Sequence, residues 1–413
     1  MENMRKSISN VLSNYFYLLL LQLGNYVVPL VLMPFLVIKL GVYHFGLLSL
    51  ALAVNMFLRA STSYGFDLTG VKDVRECLNK GLDISSTFCE IVSAKVLIFI
   101  ISVIVVIFLV PIVNSSVEFY QLCVLYMAVV FGEALFPVWF YQGMQDMKSV
   151  TILKLLSRFC YVAICILMIN DPDDIYIVPL SEGICSVIIG GLSIWIACKR
   201  HGIYLALPTV HSIKMKLVLS WDVFISKIAV LFYTSFNTIV LGFIAGPSVV
   251  GFYSIAERIY MALRELLNPI IQALYPFLVD KHSQSRHMFN VYSKRIFLSL
   301  LILMSLIAIF LFSIKDLVLS LLTKDNIGVA REVLMIFCLC LPFSLGAYFS
   351  TLLVISNKAR ILSKITFLTM IVNLALVVPF TYFAGAIGLA ICFLIVQVFH
   401  FIMQIYYNRE VLK

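Results

Sequence analysis

Residues 96–113 read VLIFIISVIVVIFLVPIV, a run of eighteen residues without a charged side chain. A helix needs about 20 mostly apolar residues to cross a bilayer, so this run and its flanks predict a membrane-spanning helix. The whole chain has the same character, because 62% of its 413 residues are apolar and only 12% are charged. A soluble domain carries about 25% charged residues. The composition therefore excludes a soluble globular protein and predicts a polytopic membrane protein.

Apolar runs of spanning length recur along the chain, and they predict an all-α fold of about twelve transmembrane helices. The predicted spans are residues 15–37, 45–65, 84–110, 118–142, 152–170, 174–197, 217–243, 249–277, 296–314, 331–355, 361–382 and 385–407. The loops between the spans are short, and residues 170–174 (NDPDD) are typical. We therefore expect no soluble domain on either side of the membrane.

Lys and Arg are distributed unequally between the two sets of loops. When the adjoining ends of the spans are included, twenty-one of them lie at the chain ends and at the connections from even-numbered to odd-numbered spans, whereas four lie on the opposite side. Cytoplasmic loops are enriched in Lys and Arg, so the pattern predicts that both termini are cytoplasmic. The same rule explains the net charge of +9 better than nucleic-acid binding does.

The chain contains an internal repeat. Residues 41–59 align without gaps with residues 246–264, and seven of the nineteen positions are identical. The identical pairs are Gly41/Gly246, Gly46/Gly251, Ser49/Ser254, Ala51/Ala256, Met56/Met261, Leu58/Leu263 and Arg59/Arg264. The two segments are the second and eighth spans, which have the same orientation, so a parallel repeat is predicted. It predicts an N-terminal six-helix lobe at 1–197, a cytoplasmic linker at 198–216 and a C-terminal six-helix lobe at 217–413, with chance similarity between spans as the alternative.

Charged residues within the spans indicate a water-filled central cavity, because an ionisable group at the bilayer centre costs at least about 2.5–3.5 kcal/mol. The eighth span has one polar stripe on an otherwise apolar helix, and a surface amphipathic helix is the alternative interpretation. Arg59 and Arg264 are expected to face each other across the repeat axis. The candidate substrate-binding residues are Asn55, Arg59, Lys95, Arg258, Arg264 and Asn268.

An excess of cations in a cavity favours an anionic cargo, because the planar guanidinium of Arg binds phosphate through two hydrogen bonds. The candidate ion-coupling residues are the carboxylates of Glu182, Asp222, Glu257 and Glu265. The candidate gate residues are Asn25, Pro29 and Pro34, since Pro bends membrane helices. The ten cysteines form no CxxC motif and no nucleotide-binding motif is present, so neither a metal site nor a cofactor is expected.

Residues 25–75 resemble the polysaccharide (O-antigen) flippase family of bacterial envelopes, within the multidrug/oligosaccharidyl-lipid/polysaccharide exporter superfamily. The matching elements are Asn25, Pro29, Pro34, Leu40-Gly41, Phe45-Gly46 and Tyr64-Gly65-Phe66, with a weaker match at Gln142-Gly143, Asp146 and Lys148. The resemblance implies two six-helix bundles around a cavity that opens to one side of the bacterial inner membrane at a time.

The cargo implied by the resemblance is an undecaprenyl-pyrophosphate-linked oligosaccharide, moved from the cytoplasmic to the periplasmic face by alternating access with a proton or sodium gradient as the candidate driving force. Membrane lipids are further expected partners, and polysaccharide polymerase machinery is a candidate one. Four alternatives remain open: a multidrug exporter of the same superfamily, a peptidoglycan-precursor flippase, a polysaccharide polymerase or ligase, and a structural membrane protein. The first two share the fold, whereas an enzyme is expected to need a larger external loop than residues 315–330 provide.

Overall fold

The computed structural model describes residues 2–113, 116–322 and 328–409. Within these ranges the chain is helical and contains no strand. The α-helices are α1 (Glu2–Ser63), α2 (Phe66–Lys80), α3 (Ile84–Val113), α4 (Val117–Leu135), α5 (Val138–Met144), α6 (Met147–Met168), α7 (Ile177–His201), α8 (Val210–Phe232), α9 (Ser235–Ala245), α10 (Pro247–Glu265), α11 (Leu267–Gln284), α12 (Arg286–Leu322), α13 (Gly328–Cys340), α14 (Gly346–Ile355) and α15 (Ala359–Tyr407). Short 3₁₀ helices occupy Pro172–Tyr176 and Pro342–Leu345.

Helices lie at all twelve predicted spans, but several spans are joined or broken. Eight helical segments of the described chain are long and apolar enough to cross a membrane, or nine if α8 and α9, which meet at 42°, form one span. Two of the long helices each include two predicted spans: α1 departs from helical geometry at Gly41, and α15 departs from it at Ala384 and Gly385. The predicted eighth span corresponds to α10 and α11. Their polar stripe lowers the mean hydropathy of this span, so it is not among the eight.

Backbone breaks recur at repeat-related positions. Gly41 has φ 77° and ψ 167°, and its repeat partner Gly246 has φ 83° and ψ 171°. This region of backbone space is essentially restricted to glycine, which explains the identity of the pair. Pro137 and Pro342 are separated by the same sequence shift, and each lies where two helical segments of one span meet. The repeat seen in the sequence at the second and eighth spans therefore extends to the fourth and tenth.

The chain forms two compact units by its internal contacts. The first comprises Met1–Leu32 and Ala51–Ile228, and the second comprises Met33–Leu50 and Ala229–Lys413. These boundaries differ from the predicted lobes in two places. Met33–Leu50 belongs to the second unit, and most of α8 belongs to the first, where Phe224 stacks on Tyr64 at 4.4 Å between ring centroids. The division into six-helix lobes stays a prediction.

Aromatic side chains fill the core of each unit. In the first unit the largest buried residues are Phe66, Phe88, Phe119, Trp139, Phe140 and Tyr141. In the second unit Tyr253 and Tyr260 of α10 are fully buried, and Tyr260 stacks on Phe337 of α13 at 5.1 Å. This packing buries the apolar face of α10, and the polar stripe of the same helix lies outside the aromatic core.

Two helices of the second unit cross with their backbones in direct contact. A Cβ atom at Gly46 would come closer than 3.0 Å to the carbonyl oxygen of Pro247, and a Cβ atom at Gly251 would clash in the same way with the carbonyl oxygen of Val42. Gly46 and Gly251 are repeat partners, and so are Val42 and Pro247. The contact is therefore self-complementary about a local pseudo-two-fold axis, which explains why both positions are glycine.

Candidate functional site

A cavity of about 130 Å³ lies inside the first unit. Its lining is mostly polar, although the helices that form it are apolar. The lining residues are Arg59, Thr62, Ser63, Asp67, Lys95, Glu133, Phe136, Val138 and Lys154. Three cations and two carboxylates therefore share one small space within the spans, which is the arrangement expected of an ion or substrate pathway.

Glu133 of α4 is the central anion of this cavity. Arg59 of α1 donates from Nε to one carboxylate oxygen at 2.7 Å and from Nη2 to the other at 2.5 Å. Lys154 Nζ of α6 lies 3.6 Å from Oε1 of the same carboxylate. Removing each ion from water costs several kcal/mol, so these charges are stable inside the spans only when they are paired. The paired guanidinium fork is the geometry that also suits a phosphate.

The position of Lys95 depends on a helix break. In α4 the carbonyl oxygen of Glu133 would normally accept from the backbone N–H four residues later, but that residue is Pro137, which has none. Lys95 Nζ donates to this carbonyl at 2.8 Å. The side chain is only 4% exposed. The break thus creates the acceptor that holds a buried ammonium group against the cavity.

A second ion pair borders the cavity. Lys227 Nζ of α8 donates to Asp67 at 2.6 Å, and the Ser63 hydroxyl donates to the same carboxylate at 2.7 Å. Asp67 is brought there by the turn between α1 and α2, in which Tyr64 and Gly65 both have positive φ. Each carboxylate of the cavity is therefore neutralised by cations from other helices.

The predicted residues of the first unit lie in different surroundings. Arg59 and Lys95 line the cavity and both bind Glu133. Asn55 is buried one turn before Arg59 and donates to the carbonyl of Tyr126 at 3.1 Å, so it joins α1 to α4. Glu182 lies within electrostatic range of Arg59. Asp222 is exposed on α8.

The predicted residues of the second unit lie along the half-buried stripe of α10 and α11. The Arg258 guanidinium stands 4.9 Å from the centroid of the Phe45 ring, a cation–π arrangement. Arg264 Nη1 lies 3.6 Å from Met261 Sδ. Asn268 donates a hydrogen bond to the carboxylate of Glu265. Glu257 is half-buried on the same stripe.

The candidate gate residues lie in α1. The helix continues through Pro29, which is exposed, and Pro34, which is half-buried, and it first leaves helical geometry at Gly41. The side chain of Asn25 lies outside the described residues. A gating role for these three residues stays a prediction.

Sequence reasoning missed three charged residues of the cavity, namely Asp67, Glu133 and Lys154. Lys154 and Asp67 are absent from the candidate residues predicted from the sequence. Glu133 is absent from them as well, and so is its pairing with Arg59. The available signal was the position of Glu133 deep in the apolar run 118–142, fifteen residues after Glu118 at its edge, because a carboxylate inside a span requires a counter-ion.

Apolar spans, a parallel repeat and paired charges buried between helices are together the features of a polytopic membrane transporter. Residues 11–282 match the model of the family described as "Polysaccharide biosynthesis protein". The chain belongs to this family, and the resemblance predicted from residues 25–75 is confirmed.

Two bacterial relatives carry the name "Putative O-antigen transporter". The protein of Escherichia coli (strain K12) is 29% identical over 391 residues, which cover 92% of each chain. The protein of Shigella dysenteriae is 26% identical over 389 residues, which cover 93% of this chain and 96% of that protein.

Solved structures share the fold at low sequence identity. The lipid II flippase MurJ in an inward closed conformation matches with a TM-score of 0.75 and 15% identity, over 97% of this chain and 87% of that chain. The MATE multidrug transporter DinF-BH matches with a TM-score of 0.62 and 15% identity, over 95% of each chain. The predicted fold class, an all-α two-lobe membrane transporter, is confirmed.

Proposed function

We propose that this protein flips an undecaprenyl-pyrophosphate-linked oligosaccharide, an O-antigen unit or a related repeat unit, from the cytoplasmic to the periplasmic face of the bacterial inner membrane. The family and the names of its relatives support this cargo, and the fold shared with a lipid II flippase supports the type of transport. The observation that carries the proposal is the convergence of Arg59, Lys95 and Lys154 on one cavity within the spans. The chain would then act as a carrier rather than an enzyme.

The cavity suggests how a pyrophosphate head would be recognised. Arg59 and Lys154 now hold the carboxylate of Glu133. A phosphate group presents the same paired oxygens with a larger charge, so it would compete with Glu133 for these donors. Lys95, whose partner is a backbone carbonyl, would add a further charge without giving up an ion pair. When cargo binds, its phosphate would thus replace the Glu133 carboxylate as the partner of Arg59 and Lys154, and neither cation would be left unpaired.

The remaining candidates belong to the same proposal. Arg258, Arg264, Asn268 and Asn55 are candidate cargo contacts. Glu182, Asp222, Glu257 and Glu265 are candidate coupling carboxylates in an alternating-access cycle. Replacing Arg264 by Ala is expected to abolish surface glycan at wild-type protein levels, because a cationic cargo contact is lost. Replacing it by Lys is expected to retain part of the glycan, and normal glycan in Arg264→Ala would remove Arg264 from the site.

The decisive experiment uses cells that lack this gene. A membrane-impermeant reagent that modifies the sugar is applied to one face of the inner membrane at a time. Lipid-linked saccharides are then extracted, and the modified fraction shows which face they were on. We expect single repeat units to accumulate on the cytoplasmic face and surface polymer to be lost. The wild-type gene should reverse both effects, whereas Arg59→Ala, expressed at the same level, should not.

The other outcomes identify the alternatives. Accumulation on the periplasmic face would indicate a polymerase or ligase acting after transport. Absence of any accumulation would favour a multidrug exporter, which shares the fold. Either result would overturn the proposed cargo.

A further inference from the structure

A second, larger groove lies in the first unit at the ends of α6 and α7. It has a volume of about 630 Å³ and is separate from the charged cavity described above. The residues that give it its character are Lys148, Ser149, Ile152, Trp195, Lys199 and Arg200. Lys148, Lys199 and Arg200 all belong to the predicted cytoplasmic side, so the groove is expected at the cytoplasmic membrane surface.

The groove is cationic because its one carboxylate is already engaged. Asp146 accepts hydrogen bonds from the backbone N–H of Ser149 at 3.3 Å and from its hydroxyl at 2.8 Å. His201 Nε2 lies 3.6 Å from the same carboxylate. Arg200 Nη1 donates to the Ser149 hydroxyl at 3.3 Å, which fixes its guanidinium at the edge of the groove. The groove therefore contains three cationic side chains, and the only carboxylate among its described lining residues, Asp146, is already bound by Ser149 and lies near His201.

Trp195 gives the groove its interfacial character. Its ring is 57% exposed, and Lys199 Nζ stands 4.8 Å from the ring centroid. A tryptophan next to a lysine at a helix end is typical of the boundary between headgroups and acyl chains, where the ring is half apolar and half hydrated.

Two exposed apolar stripes lead away from the groove along the same two helices. On α6, Ile152, Leu156 and Phe159 follow Lys148 at helical spacing and are between 51% and 63% exposed. On α7, Leu192 and Ile188 continue the face of Lys199 and Trp195 and are 41% and 55% exposed. Each stripe is thus cationic at its cytoplasmic end and apolar along the bilayer.

We propose that this groove binds an anionic glycerophospholipid of the cytoplasmic leaflet. Lys148, Lys199 and Arg200 would hold the headgroup phosphate, Trp195 would lie against the glycerol region, and the acyl chains would follow the stripes on α6 and α7. Charge complementarity argues for this occupant, because basic pockets between membrane helices on the cytoplasmic side suit acidic lipid headgroups. The site is distinct from the cargo cavity and does not depend on the cargo assigned above.

The test measures quenching of Trp195 by brominated lipids. The full chain carrying Trp221→Phe, which removes the other exposed tryptophan, is placed in nanodiscs of phosphatidylcholine. Brominated phosphatidylglycerol or brominated phosphatidylcholine is then added at increasing mole fraction. We expect phosphatidylglycerol to quench at a mole fraction at least about tenfold lower, and the additional substitution Trp195→Phe to abolish this preference.

A matched pair of variants assigns the preference to the groove. Lys148→Gln/Lys199→Gln should reduce it by about tenfold or more, since each lysine near an anionic lipid contributes about fivefold in affinity. Lys72→Gln/Lys80→Gln removes two exposed lysines of α2 instead and should leave it unchanged. Equal quenching by the two lipids in the parent protein would overturn the proposal, even if the double variant fails to fold. Full displacement of phosphatidylglycerol by millimolar inorganic phosphate would overturn it too, because the site would then bind free phosphate.

Discussion

Arg59 and Glu133 form an ion pair to which we assign two roles, stability and, in the proposed function, recognition of the cargo. Each side chain is a little under one-third exposed, and two hydrogen bonds join them. Replacing a buried ion pair by apolar side chains of similar size is often neutral or stabilising, whereas removing Arg59 alone leaves Glu133 with only the more distant Lys154 as its cation. The pair by itself is therefore weak evidence for stability, which agrees with the binding role that we propose for Arg59.

The first prediction separates these two roles. Arg59→Met should lower the free energy of unfolding by about 2 kcal/mol and abolish surface glycan, because Glu133 loses its bidentate partner. Arg59→Met/Glu133→Met should recover most of the thermal stability of the purified protein but none of the glycan, since the cation that binds cargo is still absent. Recovery of glycan in the double variant would show that Arg59 is only a structural partner of Glu133.

At the scale of single elements, α4 shows how a missing backbone N–H leaves a carbonyl oxygen to a side chain from another helix. Pro137 ends the helix and leaves the Glu133 carbonyl to Lys95. Without that break the carbonyl would be satisfied within the helix, and the buried ammonium group of Lys95 would need another acceptor.

We therefore predict that Pro137→Ala reduces transport more than stability. The new N–H would bond to the Glu133 carbonyl and release Lys95 from it, while the repaired helix would offset the lost contact. Surface glycan should fall by about tenfold at equal protein levels, and the melting temperature should change little. Pro379→Ala, which acts on an exposed proline inside α15, should leave the glycan unchanged. Equal effects of the two substitutions would contradict a special role of Pro137.

The crossing of the helical segments around Gly46 and Gly251 is a second feature at the scale of single elements. Each glycine faces a backbone carbonyl of the other segment, so a methyl group cannot be accommodated by a rotamer change. Gly46→Ala and Gly251→Ala should each destabilise the protein by about 1–3 kcal/mol, the usual cost of overpacking. Both should lower the melting temperature to a similar extent, because the two positions are equivalent in the repeat.

Gly191→Ala is the matched control for this prediction. Gly191 also lies in a helix, but a Cβ there would have no neighbour within 4 Å. Since Ala favours a helix over Gly, this variant should be neutral or slightly more stable. A loss of stability at Gly191 equal to that at Gly46 would show that the crossing contact is not the cause.

For the molecule as a whole, the distribution of Lys and Arg predicts the orientation in the membrane. Alkaline phosphatase, which is active only outside the cytoplasm, should be inactive when fused after Lys413 and active when fused after Asp173 in the 170–174 loop. Green fluorescent protein should show the opposite pattern. Phosphatase activity at the C-terminus would contradict the cytoplasmic position of that end and the even number of spans.

Spans, their predicted sidedness and the repeat could be read from the order of residues, because the bilayer acts on every segment separately. An apolar run of spanning length is helical wherever it occurs, since no water is available to its backbone. The identical residues of the repeat were likewise visible in the sequence. A local cause explains some of them, such as the positive φ of Gly41, whereas Gly46 and Gly251 are explained only by the helix crossing. Even the polar stripe of α10 follows from helical spacing alone.

The partners of the buried charges could not be read in this way. Arg59 and Glu133 are 74 residues apart, and Lys95 reaches the Glu133 carbonyl across 38 residues. Such pairs depend on which helices are neighbours. The apolar faces of the spans resemble one another, so the sequence does not indicate which face packs against which helix. The sequence around Lys154 does not reveal its partner either, because only the fold brings this side chain of α6 within 3.6 Å of Glu133 in α4. The composition decides that charges inside the membrane must be paired, whereas the packing of distant helices decides which charges form the pairs.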